Sequence, residues 1–535
     1  MCKVSMLYRD PEDPRRTESC PAPEYFVDLN LDQVLEGLGN LFHDYNLQYH
    51  FYRPLDNPEE IRYRQAILLD LAKPEILASI REFSAEFRAM RRSLGSLEKL
   101  YNQWHRDGWH LEAVARYCQA VDRLASGFRN MVLNSEGLRA FQEHLLDYAS
   151  SEEFRSLVAQ VTELRQSLAE IRFSVIIRNL TVKVKKYENE IDYSQEIVSI
   201  FERFRHGSEK SHLLKMPEPL GLNHVEAQIL DRVAVLFPGI FGELKAFCTS
   251  HVRFADETLD QFDREIQFYI AYLDYIEPLR HKGLSFCLPD ISLDRRDSEA
   301  QGLFDLALAK KLSGTSYNVV TNDFRLEGKE RILVITGPNQ GGKTTFARAF
   351  GQLHHLASIG LPVPGTRAQL QLFDSMHTHF EKEETIRSQR GKLHEELVRL
   401  HESLAHASSS SIFILNEIFT STTVKDALFL SKKILARILE IGARTVCVTF
   451  LDELASMDDR VVSMVSMVDV RDPSIRTFRL EKKPADGLAY ARSIAEKYEL
   501  TYEQLKRRLA DAGRMPFIVH DHEKTRGSVS GEVIS

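Results

Sequence analysis

The apolar and polar positions follow different patterns in the two halves of this chain. From Tyr25 to about Ile276, apolar residues recur at i, i+3, i+4 and i+7 with charged residues between them, as in Leu111–Leu124 and Leu157–Ile171. This period is typical of amphipathic helices that bury one face, so we predict a helical scaffold. One segment, Leu180–Lys185, instead alternates apolar with polar or basic residues and predicts a short half-buried strand.

That predicted strand carries Lys183 and Lys185, and with Lys186, which follows it, three lysines lie close together. A solvated strand face and a nucleic-acid contact both fit this pattern, and both interpretations stay open.

From Phe286–Pro289 onward, short β-branched runs alternate with helical patterns. The candidate strands are Ile332–Ile335, Ile412–Leu415 and Thr445–Thr449. Strands that alternate with helices indicate an α/β domain with a parallel sheet.

Composition and charge narrow the classes of protein that fit. The chain has 535 residues, 43% hydrophobic and 27% charged, which suits a protein of several globular domains. No apolar run approaches the roughly 20 residues that span a bilayer, and the N-terminus lacks a signal-peptide core, so we expect a cytoplasmic protein without a membrane segment. The net charge of −8 gives the whole chain no basic footprint, so any DNA contact must be local. The six cysteines are scattered without zinc-site spacing and are expected to be reduced.

A glycine-rich segment directly after the first candidate strand carries the clearest chemistry. Gly337, Gly342, Lys343 and Thr344 satisfy the phosphate-loop pattern G-x-x-x-x-G-K-[ST], and a helix-forming run follows at once. In such a loop, backbone N–H groups surround the phosphates, the lysine reaches the β- and γ-phosphates, and the hydroxyl ligates Mg²⁺. The sequence therefore predicts an ATP and Mg²⁺ site, whose full set of loop residues is Gly337, Pro338, Asn339, Gln340, Gly341, Gly342, Lys343, Thr344 and Thr345.

The second half of such a site is expected at the end of another buried strand. Ile412–Leu415 ends in Asn416 and Glu417. We predict that Glu417 is the catalytic base and that Asn416 contacts Mg²⁺ through water, where an aspartate is expected. An amide brings no negative charge to the metal, so metal affinity and turnover should both be low.

A polar loop, Thr420–Thr423, follows this strand, with Asp426 shortly after it. It fits equally well a loop that crosses a subunit boundary near the nucleotide and an ordinary helix cap in which Thr422 or Thr423 begins the next helix.

Together these segments resemble the ATPase domain of the MutS family of DNA mismatch-repair proteins. The family's GPNMGGKST is matched by Gly337–Thr345, its VPA turn by Val363–Gly365 and its D-E-x-G-R-G-T-S-T-x-D-G by Asn416–Ala427. Its T-H-x-x-E-L is matched by Thr449–Leu454. Weaker similarity, including Asn322–Asp323, reaches upstream to about Tyr25, and Gly487–Ala491 with the helix Thr501–Leu509 resembles the family's dimerising helix pair.

The resemblance implies a multidomain fold: a mainly α-helical core and lever region, then an α/β P-loop (ABC-type) ATPase domain, then a C-terminal helical dimerisation element. We expect a disordered tail over residues 1–24, the helical region over 25–300, the ATPase domain over 301–480, the helix pair over 481–515 and a disordered tail over 516–535. The implied partners are a second copy of the chain, giving a homodimer, and duplex or branched DNA contacted through its phosphates and shape.

Departures from the family pattern qualify this implication. We do not expect the family's N-terminal mismatch-reading domain, because core-like sequence begins within the first thirty residues. Asn416, Gly391 and Phe450 stand where the family has aspartate, serine and histidine, although Lys392 could supply charge in place of the serine. We therefore expect ATP binding with slow hydrolysis.

Three functions fit these features to different degrees. The first is a MutS-like, DNA-associated ATPase, an ATP-gated dimeric clamp with a role in DNA repair or recombination. The alternative is a non-hydrolysing, ATP-dependent interaction module for a protein or ribonucleoprotein. A small-molecule kinase that shares only the loop fits the long helical half poorly.

Overall fold

The computed structural model describes residues 4–179, 181–189, 222–295, 297–381, 391–469, 471–472, 475–485 and 501–512. The chain divides into two compact units. The helical unit comprises Met1–Phe26, Asn30–Ser292 and His354–Val363, and the α/β unit comprises Val27–Leu29, Leu293–Leu353 and Pro364–Ser535. The expected multidomain fold, with a helical region first and a mixed α/β region second, is confirmed.

The helical unit is built from amphipathic helices at the positions that the apolar period predicts. Its helices are α1 (Tyr25–Asp28), α2 (Leu31–Gly37), α3 (Asn40–Asp44), α4 (Gln48–Tyr52), α5 (Pro58–Leu71), α6 (Pro74–Ser96), α7 (Gln103–Phe128), α8 (Glu136–Ser150), α9 (Glu152–Ala169), α10 (His224–Leu236), α11 (Pro238–Ser250) and α12 (Glu257–His281). Aromatic rings fill much of the core between them; the rings of Phe141 and Phe262, for example, stack at 3.5 Å. Prolines and Asn or Asp caps begin several of these helices, as Asn57 and Pro58 do for α5.

The described part of the N-terminal segment is packed, so the predicted disordered tail over residues 1–24 is wrong there. Ser5 and the backbone N–H of Met6 both donate to Glu265, and buried Arg64 donates to the carbonyl of Leu7 at 2.9 Å. Tyr269 donates to the carbonyl of Met6 at 2.5 Å. The polar composition of this segment suggested disorder. Its polar groups instead form hydrogen bonds with residues far away along the chain.

Strands β1 (Phe173–Arg178) and β2 (Thr181–Lys186) form an antiparallel hairpin. The predicted strand is confirmed from Thr181 onward, while Leu180 lies outside the described residues. It is more exposed than predicted, since Val182 keeps 40% of its surface open to solvent.

The α/β unit is organised around a six-stranded sheet. The strand order is β10-β11-β12-β7-β13-β14, parallel from β10 to β13 and antiparallel between β13 and β14. The strands are β7 (Ile332–Thr336), β10 (Met376–His379), β11 (Ile412–Asn416), β12 (Arg444–Val448), β13 (Val461–Val468) and β14 (Arg476–Lys482). Every residue of β7 and β12 is buried, which explains the apolar runs Ile332–Ile335 and Val446–Val448 within them. The three predicted strands are confirmed.

Shorter strands and several helices also belong to the described secondary structure after α12. The short strands are β3 (Phe286–Cys287), β4 (Asp290–Ser292), β5 (Ser298–Leu303), β6 (Asn322–Leu326), β8 (Val363–Pro364) and β9 (Arg367–Gln371), and the helices are α13 (Leu306–Leu312), α14 (Lys343–Ser358), α15 (Lys392–His406), α16 (Val424–Ile441) and α17 (Tyr502–Ala512). Strand β5 pairs antiparallel with both β6 and β9.

The C-terminal predictions fall largely outside the described residues. Helix α17 overlaps the predicted helix Thr501–Leu509, whereas Gly487–Ala491 and the predicted tail over 516–535 lie outside them. Within the described ranges, no single helix is long and apolar enough to cross a membrane. One bent pair, His224–Leu236 with Pro238–Ser250 at 105°, passes that test by length and composition only.

Candidate nucleotide-binding site

Gly337–Gly342, the glycine loop, joins the buried strand β7 to helix α14. Gly337 and Gly342 have φ values of +114° and +90°, a region that favours glycine. A Cβ at Gly337 would lie 2.9 Å from the carbonyl oxygen of Ser466 on β13. Only a residue without a side chain fits between the loop and that strand, so β13 fixes the path of the loop.

Ser466 also holds the loop directly. Its Oγ donates to the carbonyl of Gly341 at 2.7 Å, and a Cβ at Gly341 would lie 2.3 Å from Ser466 Oγ. Arg476 at the start of β14 donates from Nε to the carbonyl of Asn339 at 3.2 Å. Neither Ser466 nor Arg476 was singled out from the sequence; the apolar run Val461–Val468 is the signal that could have indicated a strand there.

Lys343 begins α14 and is 4% exposed. Its Nζ donates to the carbonyls of Gly337 at 2.8 Å and Pro338 at 3.0 Å, so the ammonium lies over the loop. Burial lowers the pKa of Lys343, and the charge of Glu417 opposes that shift. The same Nζ lies 4.5 Å from the centroid of the Phe450 ring, a cation–π contact.

Thr344, Asn416 and Glu417 meet at the carboxyl end of the sheet. The Thr344 hydroxyl donates to Asn416 Oδ1 at 2.8 Å, which joins the first turn of α14 to the end of β11. Glu417 follows with φ of +56°, and its N–H donates to the carbonyl of Val448 at 2.9 Å. Burial raises the pKa of Glu417; Lys343 opposes this shift and Glu381 adds to it.

A cavity of about 470 Å³ opens beside the glycine loop. Loop residues and Glu417 form one part of its lining, and the other part is mainly apolar, with Leu308, Leu312, Tyr317, Val319, Val320 and Phe478. Phe478 has φ of +58°, and Asn322 holds its backbone by donating to the Phe478 carbonyl at 3.1 Å and accepting from the N–H of Leu480 at 2.7 Å. Asn322 was noticed from the sequence only as part of a resemblance, and Phe478 was missed.

The other predicted residues that the structure describes cap helices or form surface ion pairs. Thr423 is the N-cap of α16 and accepts from the N–H of Asp426, so the cap interpretation of this polar loop is confirmed. Gly391 is the N-cap of α15, and Lys392 pairs with Glu381 at 2.5 Å. Residues 389 and 390 of the corresponding family segment lie outside the described residues.

The oxygen ligands around Thr344 suit a hard cation only in part. The Thr344 hydroxyl and the Asn416 amide oxygen are neutral, and no group of three His, Cys, Asp or Glu side chains with metal-site spacing occurs among the described residues. These residues fit Mg²⁺ as one side of a shell that phosphate oxygens and water complete, which is how this ion is usually held in proteins.

Residues 333–497, which include the loop's helix, Asn416, Glu417 and Phe450, match the family described as MutS domain V. The α/β unit therefore carries a domain of the MutS family. The match spans the sheet and helices of the α/β unit that carry the site, so the MutS resemblance noticed from the motifs is confirmed.

Several curated MutS-family proteins are similar to this chain. The DNA mismatch repair protein MutS of Lactobacillus delbrueckii subsp. bulgaricus is 26% identical over 226 residues, 42% of this chain and 25% of the relative. That of an Exiguobacterium species is 33% identical over 146 residues, 27% of this chain and 17% of the relative. Endonuclease MutS2 of Thermus thermophilus is 29% identical over 256 residues, 44% of this chain and 34% of the relative. The chain thus spans about a third or less of these relatives' lengths.

Proposed function

We propose that the α/β unit is a P-loop ATP-binding domain and that the chain acts as a MutS-like, DNA-associated protein governed by ATP. The observation that carries the proposal is the convergence of Lys343, Thr344 and Glu417 on one cavity at the carboxyl end of a parallel sheet, with Asn416 hydrogen-bonded to Thr344. In open α/β sheets this edge is the usual ligand site.

The cavity supports a nucleotide as the ligand. Its volume of about 470 Å³ lies in the range of small-molecule sites. The glycine loop and the first turn of α14 offer backbone N–H groups and a helix N-terminus for phosphates. The apolar side, with Tyr317 and Phe478, offers flat surfaces for a base. ATP has a phosphate chain and a base that match these two parts.

Mg²⁺, when bound, would neutralise phosphate charge and orient the terminal phosphate. Thr344 and Asn416 would hold it, the latter through water. Because Asn416 is neutral, this side of the shell supplies less attraction than an aspartate would.

We infer that hydrolysis is slow. Glu417 is the candidate base, and its raised pKa makes it a better proton acceptor than an ordinary glutamate. Against this, Asn416 brings no charge, and Phe450 places a ring beside Lys343 instead of a hydrogen-bonding group. Nucleotide binding is therefore expected to control the protein more than rapid turnover does.

DNA and a second copy of the chain are the proposed partners. The curated relatives carry names of DNA repair proteins and of an endonuclease, and we extend DNA association to this chain on that basis. Contact is expected through phosphates and duplex shape, giving an ATP-gated homodimeric clamp used in repair or recombination.

Two measurements test this function. The first is single-turnover ATP hydrolysis by the parent protein and by Glu417→Gln, with Glu402→Gln, an exposed carboxylate on α15, as the control. We expect the parent to turn over slowly, Glu417→Gln to lose at least tenfold and Glu402→Gln to match the parent. Unchanged turnover in Glu417→Gln would exclude Glu417 as the base.

The second measurement is gel-shift binding to plain, mismatched and branched duplexes, with and without ATP, at low salt. We expect binding that changes with ATP and weakens as salt rises. No binding to any of these DNAs would remove DNA association from the proposal.

An ATP-dependent interaction module that grips a protein or ribonucleoprotein is the second candidate. The neutral Asn416 and the ring of Phe450 favour it, because both reduce hydrolysis while leaving the glycine loop intact. Capture of partners from extract, with and without nuclease treatment, separates the two candidates: binding that resists nuclease supports the module.

A further inference from the structure

Phe450 contacts the ammonium of Lys343 from the loop that follows β12. Strand β12 runs between β7 and β11 in the sheet, and Phe450 comes two residues after β12 ends. The N–H of Thr449 donates to Ile335 on β7, and the N–H of Glu417 donates to Val448 on β12. Phe450 therefore emerges between the glycine loop that follows β7 and the candidate base that follows β11.

The ammonium of Lys343 has three N–H donors. Two of them are given to the carbonyls of Gly337 and Pro338, within the loop itself. The centroid of the Phe450 ring lies 4.5 Å from the same ammonium, so the ring and the two carbonyls share Lys343. A phosphate that binds between Lys343 and Glu417 would compete with the ring for this ammonium.

We propose that Phe450 determines the choice between nucleoside di- and triphosphate at this site, and this rests on the proposed ATP-binding function. Loop N–H groups surround a diphosphate at the start of α14, and the ring can stay against Lys343. A triphosphate extends its last phosphate toward Glu417, so the ring moves aside and its contact with Lys343 is lost. Phe450 is thus a specificity-determining residue that lowers the affinity for the triphosphate.

The surroundings of Phe450 allow this movement. Its side chain is 49% exposed, so rotation away from Lys343 does not open a hole in the core. A cation–π contact with a partly buried ammonium is worth about 0.5–2 kcal/mol. Losing it corresponds to a change of roughly 2- to 30-fold in the relative affinity for the two nucleotides.

The test compares calorimetric affinities of the full chain for ADP and for the β,γ-imido analogue of ATP, each with Mg²⁺. Phe450→Ala is expected to raise analogue affinity roughly 2- to 30-fold and to leave ADP affinity within about twofold. Phe450→Tyr keeps an aromatic face against Lys343 and should retain the parent ratio. Thermal unfolding of each variant checks that the fold is intact.

Phe429→Ala is the matched control. Phe429 is also an exposed aromatic residue, 61% open, with a lysine 5.9 Å from its ring centroid, but that lysine is Lys433 on α16 and not Lys343 beside the glycine loop. Its loss should leave both affinities unchanged.

The outcomes separate this inference from the function beneath it. An unchanged affinity ratio in Phe450→Ala, or equal shifts for both nucleotides, overturns the role of Phe450 while leaving ATP binding in place. A parent protein that binds neither nucleotide overturns the proposed function itself. A changed ratio in Phe450→Ala together with a parent-like ratio in Phe450→Tyr supports the inference.

Discussion

The contact between Ser466 and the glycine loop gives a prediction that can be worked out quantitatively. Replacing Gly341 with alanine places a Cβ 2.3 Å from Ser466 Oγ and 2.9 Å from the carbonyl of Pro338. Its backbone does not need the left-handed region, so the cost of Gly341→Ala comes from this overlap. Overpacking of this kind typically costs about 1–3 kcal/mol.

Ser466→Ala perturbs the same contact from the other side. It removes the donor at 2.7 Å from the buried carbonyl of Gly341, which costs about 1–3 kcal/mol when the acceptor is left unpaired. In the double variant the closest overlapping atom, Ser466 Oγ, is gone. We therefore expect the double variant to be more stable than the sum of the single losses by about 1–2 kcal/mol.

The assay is a double-mutant cycle. The free energy of unfolding of the α/β unit is measured by urea titration for each variant, first without and then with ATP. Gly314→Ala is the control, because a Cβ there has no atom within 4 Å, and it should change stability by less than about 0.5 kcal/mol. A coupling energy below about 0.5 kcal/mol would refute the explanation, since independent sites add within that margin.

Three further predictions concern metal binding, the helical core and pH. Asn416→Asp puts a charge beside the Thr344 hydroxyl and should tighten Mg²⁺ binding roughly 3- to 10-fold, measured by titrating Mg²⁺ at fixed ATP; an unchanged midpoint would contradict it. Arg64→Met leaves two buried carbonyls without their donors and should lower the free energy of unfolding by about 2–5 kcal/mol in urea, with a smaller loss arguing that water replaces the guanidinium. Burial lowers the pKa of His355 from 6.5 to about 3, so the contribution of the neutral ring to stability is complete above pH 6.5 and is lost as pH falls toward 3. Thermal unfolding measured across this pH range should show the decline, and His355→Gln should show a smaller one.

The sequence was most informative where local pattern and chemistry coincide. Strands β7, β11 and β12 are mostly apolar because both faces of a central parallel strand are buried, and this pattern can be recognised from the sequence alone. The hydrogen bond between Thr344 and Asn416 also follows from motif order, since parallel strands end at one edge of the sheet. The proximity of these segments could therefore be predicted from the sequence.

Long-range packing could not be predicted in this way. Ser466 looks like an ordinary residue in Val461–Val468, and its role depends on the register of β13 beside β7. The contact of Phe450 with Lys343 likewise depends on side-chain direction. The segment near Ser5 was predicted to be disordered because its partner, Glu265, lies 260 positions away.

The interleaving of the two units along the chain has a consequence for synthesis and for fragment design. The helical unit includes His354–Val363, whose Ile359 carbonyl accepts from Arg64 and whose Pro362 carbonyl accepts from Tyr272. The ribosome therefore translates the glycine loop before the last segment of the helical unit. At about 5–20 residues per second, the earlier helices are synthesised several seconds before this segment. A fragment that stops near residue 300 would lack these acceptors, so the unit has to be expressed with its late segment supplied.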